Sequence, residues 1–177
     1  MKNFNRTTLS VAAAVGGWLI AASPSFAATA TGTFPVTATV TNTCTVSSSG
    51  VAFGSYTGGA VANTANNIVV TCNKGVTIVS LLIGNGANAS GTQKQMSGGS
   101  DFLNYHIDVP TGATLTTCPA AGTNEWNSTT GPAGAALNSL FASTGGAKNI
   151  SICASIPAAQ YPAAGSYSDT VTMTLTY

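Results

Sequence analysis

The chain has 177 residues, of which only 5% are Asp, Glu, Lys or Arg, with one histidine and a formal net charge of +1. So little basic charge cannot neutralise a phosphate backbone, which argues against a nucleic-acid binder. One histidine, four carboxylates and many ordinary hydroxyls are also a poor stock for catalysis, which needs placed acids, bases or nucleophiles.

The first predicted element is an export signal. Lys2 and Arg6 precede an uncharged, mostly apolar run over residues 9–22, and Ser25 and Ala27 place small residues at a cleavage boundary. This pattern predicts a secretory signal peptide over residues 1–27. The apolar run is shorter than the ~20 residues a bilayer span needs, and no later stretch is long and apolar enough, so no membrane span is expected in the mature chain. Residues 28–177 then form one domain able to bury its own core. Its charge is −1, from Lys74, Lys94 and Lys148 against Asp101, Asp108, Glu125 and Asp169. A surface this weakly charged permits association.

Residues 28–43 come next. Phe34, Val36, Ala38 and Val40 are interleaved with Thr33, Pro35, Thr37, Thr39 and Thr41, and strict alternation predicts a strand with one buried face. Residues 32–41, if extended, span about 33 Å, the length of a small domain. Pro35 removes a backbone donor on the polar face, which suits a strand docked along an edge or into a groove. Two readings stand on pattern alone. The segment is either the first strand of a complete sandwich or an arm that completes the sheet of a neighbouring copy.

Further along, Ile68–Cys72 and Val76–Ile83 are β-branched runs joined by Asn73, Lys74 and Gly75, a predicted hairpin. The Gly- and Asn-rich stretch Gly84–Gly99 and the stretch Pro119–Gly146 read as long loops, the second with a short helical turn over Ala133–Phe141. Phe102–Val109 is a predicted strand with Leu103, Tyr105, Ile107 and Val109 on one face. Ile150, Ile152 and Ala154 suggest another. At the end Val171, Met173, Leu175 and Tyr177 alternate with Thr170, Thr172, Thr174 and Thr176. Six or more short strands with turns between them predict an all-β sandwich.

Cys44, Cys72, Cys118 and Cys153 are even in number in an exported chain and read as two disulfides. Three pairings are open, and Cys44–Cys72 with Cys118–Cys153 is favoured. The first closes a loop worth roughly 3–4 kcal/mol in the chain-entropy model. No Cys/His spacing implies a metal, and no cofactor is expected. Asp101 and Asp108 fall on opposite faces of their strand, and His106 lies on its polar face as an ordinary solvated side chain. Trp126, beside Asn124 and Asn127, either plugs the sandwich or a subunit joint or, if exposed, stacks on a sugar. Asn88, Asn127 and Asn149 open Asn-x-Ser/Thr tripeptides, discounted as glycosylation sites in a bacterial-looking export context.

Several blocks together resemble a known family. They are Thr31, Gly32, Phe34, Val36, Ala38 and Val40 leading into Cys44; Phe53, Gly54 and Tyr56; Ile68, Val70 and Cys72; and Leu103, Tyr105 and Ile107. Ile156, Pro157 and Gln160 follow, with the terminal run from Gly165, Tyr167 and Asp169 through Tyr177. With these blocks the chain resembles a spore coat U-domain pilin, the subunit type of archaic, Csu-type chaperone–usher pili. The resemblance implies an incomplete immunoglobulin-like β-sandwich over residues 44–177, lacking its last strand and completed by donor-strand exchange. It implies that Phe34, Val36, Ala38 and Val40 are donor side chains of an arm over residues 28–43. Val171, Met173, Leu175 and Tyr177 would line the acceptor groove, and Asp169 would fix a turn or an edge. The implied partners are neighbouring copies, a periplasmic chaperone and an outer-membrane usher. The implied role is a non-enzymatic shaft subunit at the cell surface, supporting attachment and biofilm formation. Alternatives are a spore or cyst coat protein of the same domain type and a secreted carbohydrate-binding module. Cys118 and Cys153 both stand where the family differs, which supports their pairing and implies that the nearby loops depart from it.

Overall fold

The computed structural model describes residues 27–177, except for the side chains of residues 63–66. The predicted signal peptide, apart from Ala27, lies outside the described residues. The chain divides into two units, one ending at Ala38 and the other spanning Thr39–Tyr177. In the first, residues 27–38 carry no helix or strand and every residue is exposed. The strand predicted there is absent from the structure. Alternation creates an apolar face, but a strand forms only where a partner supplies a ladder.

The second unit is a nearly all-β sandwich with one short helix. Its strands are β1 (Cys44–Ser48), β2 (Val61–Cys72), β3 (Ser80–Ile83), β4 (Lys94–Ser97), β5 (Phe102–Asp108), β6 (Gly146–Ile156) and β7 (Met173–Thr176). Helix α1 spans Gly134–Phe141, inside the predicted helical turn, and buries Leu137 and Phe141. One antiparallel sheet has the order β1-β2-β6-β5-β4, and the other contains only β3 and β7. β6 is buried throughout Ile150–Ile156, as befits a central strand covered on both faces. Its inward residues Ile150, Ile152, Ala154 and Ile156 meet Leu103, Tyr105 and Ile107 of β5 in the core. That face of β5 is the predicted one.

Two expectations are corrected. The residues around Asn73–Gly75 do turn, with Val76 N–H donating to Asn73 O at 3.4 Å, but they do not make a hairpin. β2 pairs with β1 and β6, while β3 crosses to the other sheet and pairs with β7, Ser80 opposite Thr176 and Ile83 opposite Met173. Burial explains the crossing, because β-branched runs on both sides of a turn fit two facing sheets as well as two adjacent strands. The second correction concerns Gly84–Gly99, which contains β4 paired with β5.

The disulfides are Cys44–Cys72 and Cys118–Cys153, with Cα separations of 4.2 and 5.4 Å. The first ties β1 to β2. The second ties the loop after β5 to the outer face of β6, where Ser151 N–H also donates to Leu115 O. Among the described residues no helix is long and apolar enough to cross a membrane.

Candidate functional site

The second sheet has two strands where the first has five, and the shortfall leaves a cleft. Its volume is about 370 Å³. The floor is apolar, formed by Phe53, Ile68, Ile83, Met96, Ile107 and Ile152, with Val171 and Met173 at one wall. A second hollow of about 860 Å³ shares Val51, Phe53, Met96 and Tyr167 with the first and continues past Tyr56 and Gln160 to Tyr161.

Two strand edges border this opening. Among the described residues β1 is paired only with β2, and β7 only with β3. On the β3 side, Gly84 N–H donates to Thr172 O and Val79 N–H to Thr176 O, each at 2.8 Å. Successive residues of a strand turn their backbone groups to opposite sides. The N–H and C=O groups of Val171, Met173 and Leu175 therefore face away from β3, along the unpaired edge. The side chains of these residues are half-buried while Thr172, Thr174 and Thr176 are exposed. Of the four residues expected at the groove, Val171 and Met173 line the cleft, Leu175 packs against the core, and Tyr177 is 53% exposed.

One polar cluster lies at the cleft. Asp169 Oδ2 accepts from Tyr105 Oη at 2.6 Å, and Oδ1 accepts from Asn88 N and Asn88 Nδ2, each at 3.1 Å. Burial, then the hydrogen bond to Asp169, pushes the Tyr105 phenol far above its ordinary range. A Cβ on Gly86, whose φ is +98°, would collide with the Asp169 carboxylate. Asp169 thus pins the loop after β3 to the segment before β7, holding one wall of the cleft in place.

A second cluster unites the chain's one histidine, its one glutamate and a buried lysine. Lys94 is fully buried, and its Nζ donates to Glu125 Oε1 at 2.8 Å and to Trp126 O at 2.6 Å. Glu125 Oε2 lies 2.9 Å from His106 Nδ1. His106 is therefore engaged as well as partly solvated. Trp126 is a plug with no exposed surface, its indole N–H donating to Leu81 O at 3.1 Å, so it links the loop after β5 to the smaller sheet. Asp108 is buried and accepts from Gly122 N and Asn124 N. Sequence reasoning missed the Lys94 cluster because β4 was read as loop. The glycine pair Gly98–Gly99 between Met96 and Leu103 was the available turn signal. Among the described residues no group of three His, Cys, Asp or Glu side chains is placed to hold a metal.

At the start of β1, the Asn73 side chain donates to Thr41 O at 2.8 Å, and Asn73 N–H donates to Thr43 O at 3.1 Å. Before that point the large apolar side chains are bare, with Phe34 81%, Val36 84% and Val40 82% exposed.

No curated protein matches the chain. Among solved structures it is similar to the chaperone–tip adhesion subunit pre-assembly complex CsuC–CsuE, from the archaic chaperone-usher Csu pili of Acinetobacter baumannii. The identity is 20% and the TM-score 0.49, covering 78% of this chain and 40% of that one. The Spore Coat Protein U domain family matches residues 30–174, from within the exposed N-terminal segment to β7. This chain belongs to the Spore Coat Protein U domain family.

Proposed function

We propose that the chain is a structural subunit of a chaperone–usher pilus, polymerised by donor-strand complementation and supporting surface attachment and biofilm formation. The observation that carries this reading is the apolar cleft between the unpaired edges of β1 and β7. The arm over residues 28–43 has matching chemistry. Burying Phe34, Val36 and Val40 would contribute about 1.5–3 kcal/mol for each side chain. Ladder bonds to the edge groups of Val171, Met173 and Leu175 would add about 0.5–1.5 kcal/mol each. Strand addition uses backbone bonds for affinity and alternate side-chain pockets for specificity. Phe34, Val36, Ala38 and Val40 are the donor side chains on this reading. Val171, Met173, Leu175 and Tyr177 belong to the receiving strand, with Val171 and Met173 at its cleft.

Before assembly a periplasmic chaperone would occupy the same cleft, since an open apolar groove invites aggregation, and an outer-membrane usher would exchange it for the next copy's arm. The signal expected over residues 1–27 supplies the route of export to the cell surface. The test is Val36→Asp. It should abolish fibres on the cell surface while leaving soluble, disulfide-bonded subunit bound to its chaperone. Normal fibres from this variant would refute the assignment of the donor face.

The family's description favours a second reading, a coat protein with the same domain. Immunogold labelling separates them, since thin surface fibres support the pilus and a continuous layer the coat. The carbohydrate-binding alternative loses its best residue, because Trp126 is buried.

A further inference from the structure

Three charged side chains of the second unit lie at its ends, Lys74 and Lys148 at one and Asp101 at the other. At one end β1 begins, β2 stops and β6 begins, with Cys44 opposite Cys72 and Cys72 opposite Gly146. Lys74 follows β2 in the exposed turn there, and Lys148 lies close by, opposite Val70. They are the two lysines of residues 27–177 that are not fully buried, the third being Lys94. At the other end Val61 lies opposite Ile156, and β5 starts beside the stretch that follows β6. Asp101 sits there, one oxygen accepting from Ala163 N at 2.7 Å, with Phe102 next in the chain 48% exposed and Tyr161, two residues before Ala163, 89% exposed. The other carboxylates are committed elsewhere. Asp108 is buried, Glu125 holds Lys94 and His106, and Asp169 holds Asn88 and Tyr105.

We infer that these ends form a head-to-tail contact between copies, with Lys74 and Lys148 of one copy meeting Asp101, Phe102 and Tyr161 of the next. This rests on the donor-arm reading above. Residues 41–43 are tied to Asn73, so each donor leads its arm from its lysine end. In the acceptor, Ser168 is bridged to Ser97 at the Asp101 end, and β7 runs from there toward the lysine end. An arm lying antiparallel to β7 leaves the acceptor at its Asp101 end and brings opposite charges together. A parallel arm leaves at the lysine end and sets two lysine ends against each other. Like charges in apposition select against the second arrangement. In the first, the exposed Tyr161 and Phe102 face the hollow at the donor's lysine end, lined by Thr43, Asn73, Lys74 and Gly146. The contact is heterologous and does not close, as an open filament requires.

The test is zero-length carbodiimide coupling on fibres of the intact chain, which joins amines only to carboxylates in direct contact. β2 separates the two ends by roughly 40 Å at the usual strand rise, so a Lys74–Asp101 or Lys148–Asp101 peptide arises only between copies. That peptide is the expected product. Lys74→Gln with Lys148→Gln should remove it while fibres still form. Fibres that yield no such peptide, or in which an amine–amine reagent joins lysines of two copies instead, would overturn the contact and leave the donor arm standing. If the intact chain makes no fibres, the donor-arm reading fails and this contact fails with it.

Discussion

The pair Lys94–Glu125 can be broken from either side, and the two breaks should differ in cost. Lys94 has no exposed side-chain surface, whereas 27% of Glu125 reaches solvent. Glu125→Gln leaves an ammonium group buried without its counter-charge. Breaking a buried pair this way costs 3–5 kcal/mol, and the partial hydration of the site places the effect near the bottom, about 3 kcal/mol. Lys94→Met instead removes the buried charge and keeps an apolar stem of similar length. The carboxylate keeps its contact with His106 and can turn its other oxygen to water, and the main loss is the donor to Trp126 O, about 1–2 kcal/mol. Urea unfolding of residues 28–177 with disulfides intact measures both. Trp126 is the one tryptophan of that segment, so its fluorescence reports on the site itself. The Glu125→Gln midpoint should fall further than that of Lys94→Met, with unchanged slopes, and its Tm should drop by about 6–12 °C. If Lys94→Met is the more damaging change, the reasoning about which partner carries the desolvation cost is wrong.

Tyr105 gives a pH prediction. Its phenol is held above the ordinary value of 10.0 by burial and by Asp169. Unfolded chains therefore lose this proton first, and the folded state binds more protons above about pH 10, so stability is complete below that pH and falls above it. Tyr105→Phe should flatten the alkaline limb of a midpoint-against-pH curve, and an unchanged limb would contradict the assignment. Cys118→Ser with Cys153→Ser opens a disulfide whose cysteines are 35 residues apart. The chain-entropy model gives a loss of about 3.8 kcal/mol, so a midpoint within error of the parent would show that the loop gains nothing from its staple. Gly86→Ala should displace the Asp169 carboxylate and cost about 2–4 kcal/mol from strain at positive φ and lost hydrogen bonds. Denaturation measures it, and a parent-like midpoint would refute the close approach.

Where the local pattern coincided with the packing, the fold was legible. Leu103, Tyr105, Ile107 and Val109 alternate because β5 has one core face, and Met173 and Leu175 alternate against threonines because β7 borders a cleft. The favoured disulfide partners are the ones in the structure, although sequence alone leaves three pairings open and the support for Cys118–Cys153 came from the places where the chain departs from the family it resembles. Partner choice between strands was not legible. Val76–Ile83 has the same composition whether it turns back on Ile68–Cys72 or crosses to the other sheet. β4 hid because Lys94 is a core residue only by virtue of Glu125, which lies 31 positions away. The Phe34–Val40 segment shows the opposite mismatch. Its pattern is the clearest in the chain, yet these residues carry no strand in the structure, because alternation alone supplies no hydrogen-bonding partner.

The most direct test co-expresses the intact chain with a chain lacking residues 28–41. The truncated subunit retains the cleft between β1 and β7 but has no arm to give. It should be found at fibre ends only, shortening the fibres in proportion to its dose. A truncated chain that fails to fold, beside an intact chain that stays a stable monomer, would mean that each molecule completes its own sheet.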